Sequence, residues 1–378
     1  MYYIIYIFIF LLLPYAFLNK RTICVCHVNG QSVVSYKWFG ILSLAFILTV
    51  FLRGITYDTG ADWIVYYEYL HGLSNGYETA WGEHTEFMYR MLCKLLVALK
   101  QPVFVFFCIC MALNYYSVIK FSKLFYYCVP FTLLMWYPFM FTMSCNIYRQ
   151  FIAMAFFLVS CFYLLNKKIY LFLLYICVAV LFHTSVIVII PFVLVAWYLD
   201  KHRIDINKNI IMFLIIASHI LGYSSLLIID EISGVLSMIF SMGNGNTYEF
   251  SSASLIENQY GASFIWFMLP VHLYWIILAD RIKRFVANFR FVYYLSCIYF
   301  VLYPISHEEF LMRMCLYIEL FTPFMLGAIF FMRKRMFNRI TNICYIISLI
   351  PVWVLFLYHF FSGFDEQYIT VFDKNIWY

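Results

Sequence analysis

Residues 144–199, SCNIYRQFIAMAFFLVSCFYLLNKKIYLFLLYICVAVLFHTSVIVIIPFVLVAWYL, decide the class of this chain. Long apolar runs follow one another here, separated by the basic turn Lys167-Lys168. Two of them open on polar groups that a purely structural membrane helix does not need: Asn146, Arg149 and Gln150 at the first, and His183, Thr184 and Ser185 at the later one. An ionisable side chain is costly to hold in a membrane span, so such residues are read first as a site.

Working outward, the whole chain has the same character. It is 65% hydrophobic and only 12% charged, about half the charged share of a soluble globule, so a soluble domain is excluded. Its apolar runs are long and continuous, unlike the alternating stretches of roughly ten residues that build a membrane barrel. The expected fold is therefore all-α: a polytopic bundle of about twelve spans forming a single transmembrane domain over 1–378. Aromatic residues reach 22%, more than interfacial belts alone require, and ring faces also stack on sugars. The net charge of +6 is spread over short loops, which argues for membrane topology and against nucleic-acid binding. Cys24, Cys26 and His27 have no second ligand pair, so no metal is expected.

The basic residues set the expected orientation. Residues 1–18 are apolar with no basic residue ahead of them and Lys20 and Arg21 after, the reverse of a signal peptide, and read as an uncleaved first span. The runs around Lys120, Lys167, Lys201–Lys208, Arg281–Arg290 and Arg333–Arg339 are all cytoplasmic if spans pair between them. Residues 86–99 are too short for a span and carry Arg90 and Lys94, which suits a helix lying in the interface or a groove. Two outer loops result, 53–85 and 230–261, the second rich in Gly, Asn and Ser. Asn146, Arg149, Gln150, His183, Glu309 and Arg313 then all fall at outer ends of spans, beside the acidic 53–85 loop.

Asn146, Arg149 and Gln150 lie at i, i+3 and i+4 and share a helix face near its N-terminus, where free amides and a guanidinium fork suit a pyrophosphate. His183 suits a base, an acid or a diphosphate donor. Glu309 and Arg313 have the spacing of an intrahelical ion pair, and equally of a base beside a second phosphate ligand. Asp58 and Asp62 in the first outer loop suit activation of a sugar hydroxyl or binding of a divalent cation.

Four motifs in order carry a resemblance. RGITYDTGADWIVYYEYL, HTEFMYRMLCKLL, NIYRQFIAMAFFLVSCFYL and VLFHTSVIVIIP resemble the EpsG family of exopolysaccharide proteins, which belongs with bacterial Wzy-type O-antigen polymerases. The matching positions are Arg53, Gly60, Asp62 and Tyr66; Glu86 and Phe87; Asn146, Arg149, Gln150 and Ala153; and Phe182, His183 and Ser185. Trp63 departs from the pattern, which has Tyr there.

The resemblance implies a GT-C-like membrane glycosyltransferase of the bacterial inner membrane with its site facing the periplasm. It would join undecaprenyl-pyrophosphate-linked oligosaccharide repeat units without a cofactor, assisted by a separate chain-length regulator. On that reading Arg53, Asn146, Arg149, Gln150 and Arg313 hold the pyrophosphate. Asp62, His183 and Glu309 are the catalytic candidates, and Asp58, Tyr66 and Glu86 belong to the substrate loop. A lipid-linked oligosaccharide flippase and a membrane O-acyltransferase are the alternatives.

Overall fold

The computed structural model describes residues 23–28, 31–36, 39–57, 63–79, 82, 85–98, 102–124, 129–141, 147–225, 259–286, 288–306, 309–362 and 369–370. Asp58, Asp62, Asn146, the apolar run at 1–18 and nearly all of the 230–261 loop lie outside them. Arg53 and Glu309 are placed on helices, but their side chains are outside what is described.

The described chain is predominantly helical. Among the described residues three helices are long and apolar enough to cross a membrane: Val103–Ser122, Tyr148–Leu165 and Leu311–Arg333. Shorter apolar helices include Phe131–Met140, Ile169–Phe182, Lys208–Gly222, Phe289–Ile305 and Arg339–Leu355. This is a helical membrane protein. The helix expected to open at Ser144 begins instead at Tyr148.

Among the described residues two strand pairs stand beside the helices. Strands β1 (Ile23–Val28) and β2 (Gln31–Tyr36) form an antiparallel hairpin in the register Ile23↔Tyr36 to Val28↔Gln31. The residues between them are Asn29-Gly30, the dipeptide that two-residue hairpin turns favour. The second pair joins β3 (Thr56–Tyr57) to β4 (Ile369–Thr370), so the chain's last described strand is tied to the start of the first acidic loop.

The chain divides into two compact units, Met1–Val188 with Leu326–Tyr378, and Ile189–Met325. In the first, α1 (Phe39–Ile55) packs on α4 (Pro102–Ser122), and a Cβ at Gly54 would come within 2.3 Å of Cys108 Sγ, so the absence of a side chain sets this approach. The short helices α2 (Trp63–Ser74) and α3 (Phe87–Val97) pack on each other and on α4. Eleven residues of helix rise only about 16 Å, so α3 does not span, as its sequence suggests. Helix α5 (Val129–Trp136) runs into a π turn at Tyr137–Phe141, where Pro138 interrupts the regular bonding.

Helices α6 (Tyr148–Leu165) and α7 (Ile169–Phe182) make a tight antiparallel hairpin. Its turn is closed by Lys167 in the left-handed region (φ 60°) and by Lys168 N–H donating to the Tyr163 carbonyl at 2.9 Å. Lys120 Nζ donates to the Tyr163 hydroxyl at 2.8 Å, which brings the Lys120 and Lys167 runs to one end, as the expected alternation requires.

Helix α8 (Val186–Lys201) follows α7, and in the second unit α9 (Lys208–Ser225) packs on α10 (Gln259–Ile282) and α11 (Phe289–Leu302), while α11 also packs on α12 (Glu309–Glu319). Gly222 backs onto the 3-10 turn Tyr303–Ile305, and a Cβ there would lie 2.1 Å from the Pro304 carbonyl oxygen. Asp205 meets Lys283 at 3.3 Å, Arg284 at 3.0 Å and Arg290 at 3.2 Å. Two basic runs assigned to one side of the membrane are thus joined through one carboxylate.

Candidate functional site

The buried face of α2 is aromatic. Trp63, Tyr66, Tyr69 and Leu70 recur at helical spacing and are all buried, against Tyr89, Cys93 and Leu96 from the corresponding face of α3. Tyr66 sits edge-on to Tyr148 (ring centroids 4.9 Å) and to Tyr89 (5.8 Å), and stacks on Phe106 of α4 at 5.9 Å. Trp63 is sandwiched between Tyr67 (5.1 Å) and Phe107 (5.7 Å), so the ring that replaces the family's Tyr serves packing. Gly82 lies under the Tyr69 ring, where a Cβ would approach to 1.9 Å.

This platform receives the first turn of α6. Arg149 forms an ion pair with Glu86, the residue that starts α3, and both side chains are about one-fifth exposed (20% and 17%). The Arg149 backbone N–H donates to the Tyr66 hydroxyl at 3.4 Å, and its guanidinium lies 5.9 Å from the Tyr89 ring centre, within cation–π range. Tyr66, Glu86 and Arg149 come from three separate motifs, and the fold joins them in one partly open cup. A part-exposed cation held in place by a buried aromatic wall can bind an anionic group.

Charges around the cup are ordered outward. Tyr69 Oη donates to Glu78 Oε1 at 3.0 Å, and Lys94 meets the same carboxylate at 3.4 Å. Burial raises the Tyr69 and Tyr89 phenols above their ordinary range, with the Glu78 hydrogen bond adding to the first; burial also pushes the Cys93 thiol up to about 12. These groups stay protonated and neutral at physiological pH, so Glu86 and Arg149 carry the charge of the cup.

The other predicted residues divide. Gln150 is buried, about 100° round the helix from Arg149, so the two side chains leave α6 in different directions. His183 caps the C-terminus of α7 in extended conformation. Its Nδ1 pairs with Ser185 Oγ at 2.6 Å and receives the Ser185 backbone N–H at 3.4 Å. The tautomer that satisfies both carries its proton on Nε2, which makes that nitrogen a donor. Phe182 stacks on Phe156 at 5.5 Å, so α7 ends about two helical turns, roughly 10 Å, along α6 from Arg149. Arg313 and Glu309 lie on α12 in the second unit.

Sequence reasoning missed the aromatic platform, although the spacing of Trp63, Tyr66 and Tyr69 signals one buried face. It also missed the histidine pair of the second unit, His219 and His272, with ring centroids 6.4 Å apart.

No curated protein and no solved structure matches the chain. The EpsG family model matches residues 39–370, from the first residue of α1 to the last of β4. The three motif residues that meet in the cup all lie within the matched stretch, and with most of its length matched in this way the chain belongs to the EpsG family.

Proposed function

We propose that this protein is a polysaccharide polymerase that joins undecaprenyl-pyrophosphate-linked repeat units by glycosyl transfer. Membership of the family supports a polymerase-like or glycosyltransferase-like membrane function. The observation that carries the finer reading is the cup itself: Tyr66 and Arg149, 83 positions apart, meet with Glu86 at the head of a helix long enough to span. On this reading the bundle has about twelve spans in a GT-C-like arrangement. The cup faces the periplasm from the inner membrane, and a separate regulator sets chain length.

In the proposed reaction the acceptor sugar's hydroxyl oxygen forms a bond to the anomeric carbon of the growing chain. The bond from that carbon to the pyrophosphate oxygen breaks, and undecaprenyl pyrophosphate leaves with the electron pair. Arg149 neutralises the charge that develops on the leaving oxygen, an interaction stronger in the transition state than in the bound substrate. Glu86 aims Arg149 by taking no more than two of its five N–H donors. His183 supplies an Nε2–H to the diphosphate. Asp62 removes the acceptor's proton, and the buried platform of Tyr66 and Tyr89 holds Arg149 in position.

The test is complementation of a host deleted for its own polymerase and supplied with the matching repeat unit. Wild type should restore a ladder of surface polysaccharide, and Arg149→Ala, present at equal membrane levels, should leave single capped repeats. A full ladder from Arg149→Ala would remove the diphosphate role. A requirement for an acyl donor, with no change in glycan length, would point to the acyltransferase instead.

A further inference from the structure

Helices α13 (Thr322–Met336) and α14 (Arg339–Ser362) frame a groove whose lining does not include Tyr66, Glu86 or Arg149. A groove of about 620 Å³ is lined by Arg333, Arg339, Asn342, Ile343, Ile346 and Ile347. All six residues belong to the first compact unit.

The groove has a charged end and an apolar wall. Arg333 closes the candidate span Leu311–Arg333, and so marks the depth at which hydrocarbon gives way to headgroups. Lys334, Arg335 and Arg339 follow it, and no Asp or Glu occurs anywhere between residues 320 and 362. Among the described residues Arg333, Arg335 and Arg339 make no ion pair, whereas Arg149, Lys283, Arg284 and Arg290 do. Arg333 is oriented but not neutralised: it packs over the Phe330 ring at 3.4 Å and donates to the Phe330 carbonyl at 2.5 Å.

The wall is equally specific in kind. Ile343, Ile346, Ile347, Ile350 and Val354 of α14 are exposed by 43–59% and recur at helical spacing, a stripe leading from the arginines into the span. Asn342 is fixed at the junction by its amide, which donates to the Phe337 carbonyl at 3.2 Å.

We propose that this groove binds an anionic phospholipid, with its phosphodiester on Arg333 and Arg339 and an acyl chain along the isoleucine stripe. Charge complementarity selects the occupant. Two guanidinium groups with no acidic partner among the described residues favour a net anion over a zwitterion, and the stripe requires a tail that a free phosphate lacks.

Native mass spectrometry of the full chain in detergent tests this, with equimolar phosphatidylglycerol and phosphatidylcholine as competing probes. Wild type should retain phosphatidylglycerol with a preference of roughly tenfold or more, since each cation near a lipid headgroup contributes about a fivefold factor. Arg333→Gln with Arg339→Gln should abolish the preference, whereas Lys167→Gln with Lys168→Gln, which removes equal charge elsewhere, should preserve it. Ile347→Asn leaves both arginines in place, adds no charge, and should lower occupancy through the wall alone. It also reports if the double arginine variant does not fold. Millimolar glycerol phosphate should not displace the lipid. An unchanged preference in the arginine variant, equal loss in the lysine variant, or displacement by glycerol phosphate would each overturn the proposal. Glycan transfer is not read in this experiment, so its outcome is separate from that of the polymerase reading.

Discussion

At the scale of single residues, the central pair is Arg149 and Glu86. Each side chain is about four-fifths covered, so neither charge is solvated well enough to lose its partner without cost. Glu86→Gln should lower the melting temperature in detergent, at a cost of about 1–2 kcal/mol, and also slow transfer by releasing Arg149 from its aim. Arg149→Lys keeps the charge but not the fork, and should reduce turnover by roughly 10²-fold with little loss of stability. At His183, removing the Ser185 hydroxyl frees the ring to change tautomer. Ser185→Ala should therefore slow transfer by about tenfold while membrane levels stay constant, a comparison made by quantifying the polysaccharide ladder. Unchanged transfer in Ser185→Ala would detach His183 from the chemistry.

At the scale of elements, the platform depends on close approach. Gly82→Ala puts a methyl group into the Tyr69 ring, displaces α2 from α3, and should destabilise the protein by about 1–3 kcal/mol in thermal unfolding. Much of this level was legible in the sequence. The continuous apolar runs gave the helical class, and the length and charge of 86–99 gave a short, non-spanning α3. The β1–β2 hairpin has one sequence signal, Asn29-Gly30, and its flanking residues lack the strict alternation that would mark the strands. The shift of the α6 start from Ser144 to Tyr148 has a physical basis: Ile147 provides no side-chain cap, so no local signal marks the boundary. The shared face expected for Arg149 and Gln150 fails on the helix period itself, which turns adjacent side chains about 100° apart, and Gln150 is buried.

At the scale of the molecule, two features tie distant sequence together: the cup of the first unit and the Asp205 node of the second. Burial tends to raise the Asp205 carboxyl, but hydrogen bonds and charges from Arg290 and Lys283 outweigh it and hold the group below its ordinary value of 3.8. A carboxyl with a depressed folded value stabilises above its unfolded value and loses that contribution as pH falls through the folded one. Wild type should therefore melt lower as pH falls through and below about 4. Asp205→Asn should be less stable at pH 7, with the gap to wild type narrowing in acid. A gap independent of pH would show that the node contributes by shape alone. The pairing of loops 201–208 and 281–290 was legible only as a common side; that a single aspartate unites them required the structure. Single cysteines at His202→Cys and Phe285→Cys should accordingly react with an impermeant thiol reagent from the same face of sealed vesicles.

The most direct test of the cup as a polymerisation site is reconstitution of the purified protein in vesicles with undecaprenyl-pyrophosphate-linked repeat units. Glycan length and free undecaprenyl pyrophosphate would be measured together, in EDTA. The account predicts one undecaprenyl pyrophosphate released for each new glycosidic bond in wild type, and neither product from a folded Arg149→Ala variant. Lengthening that persists in Arg149→Ala, or that stops in EDTA and returns with magnesium, would contradict it.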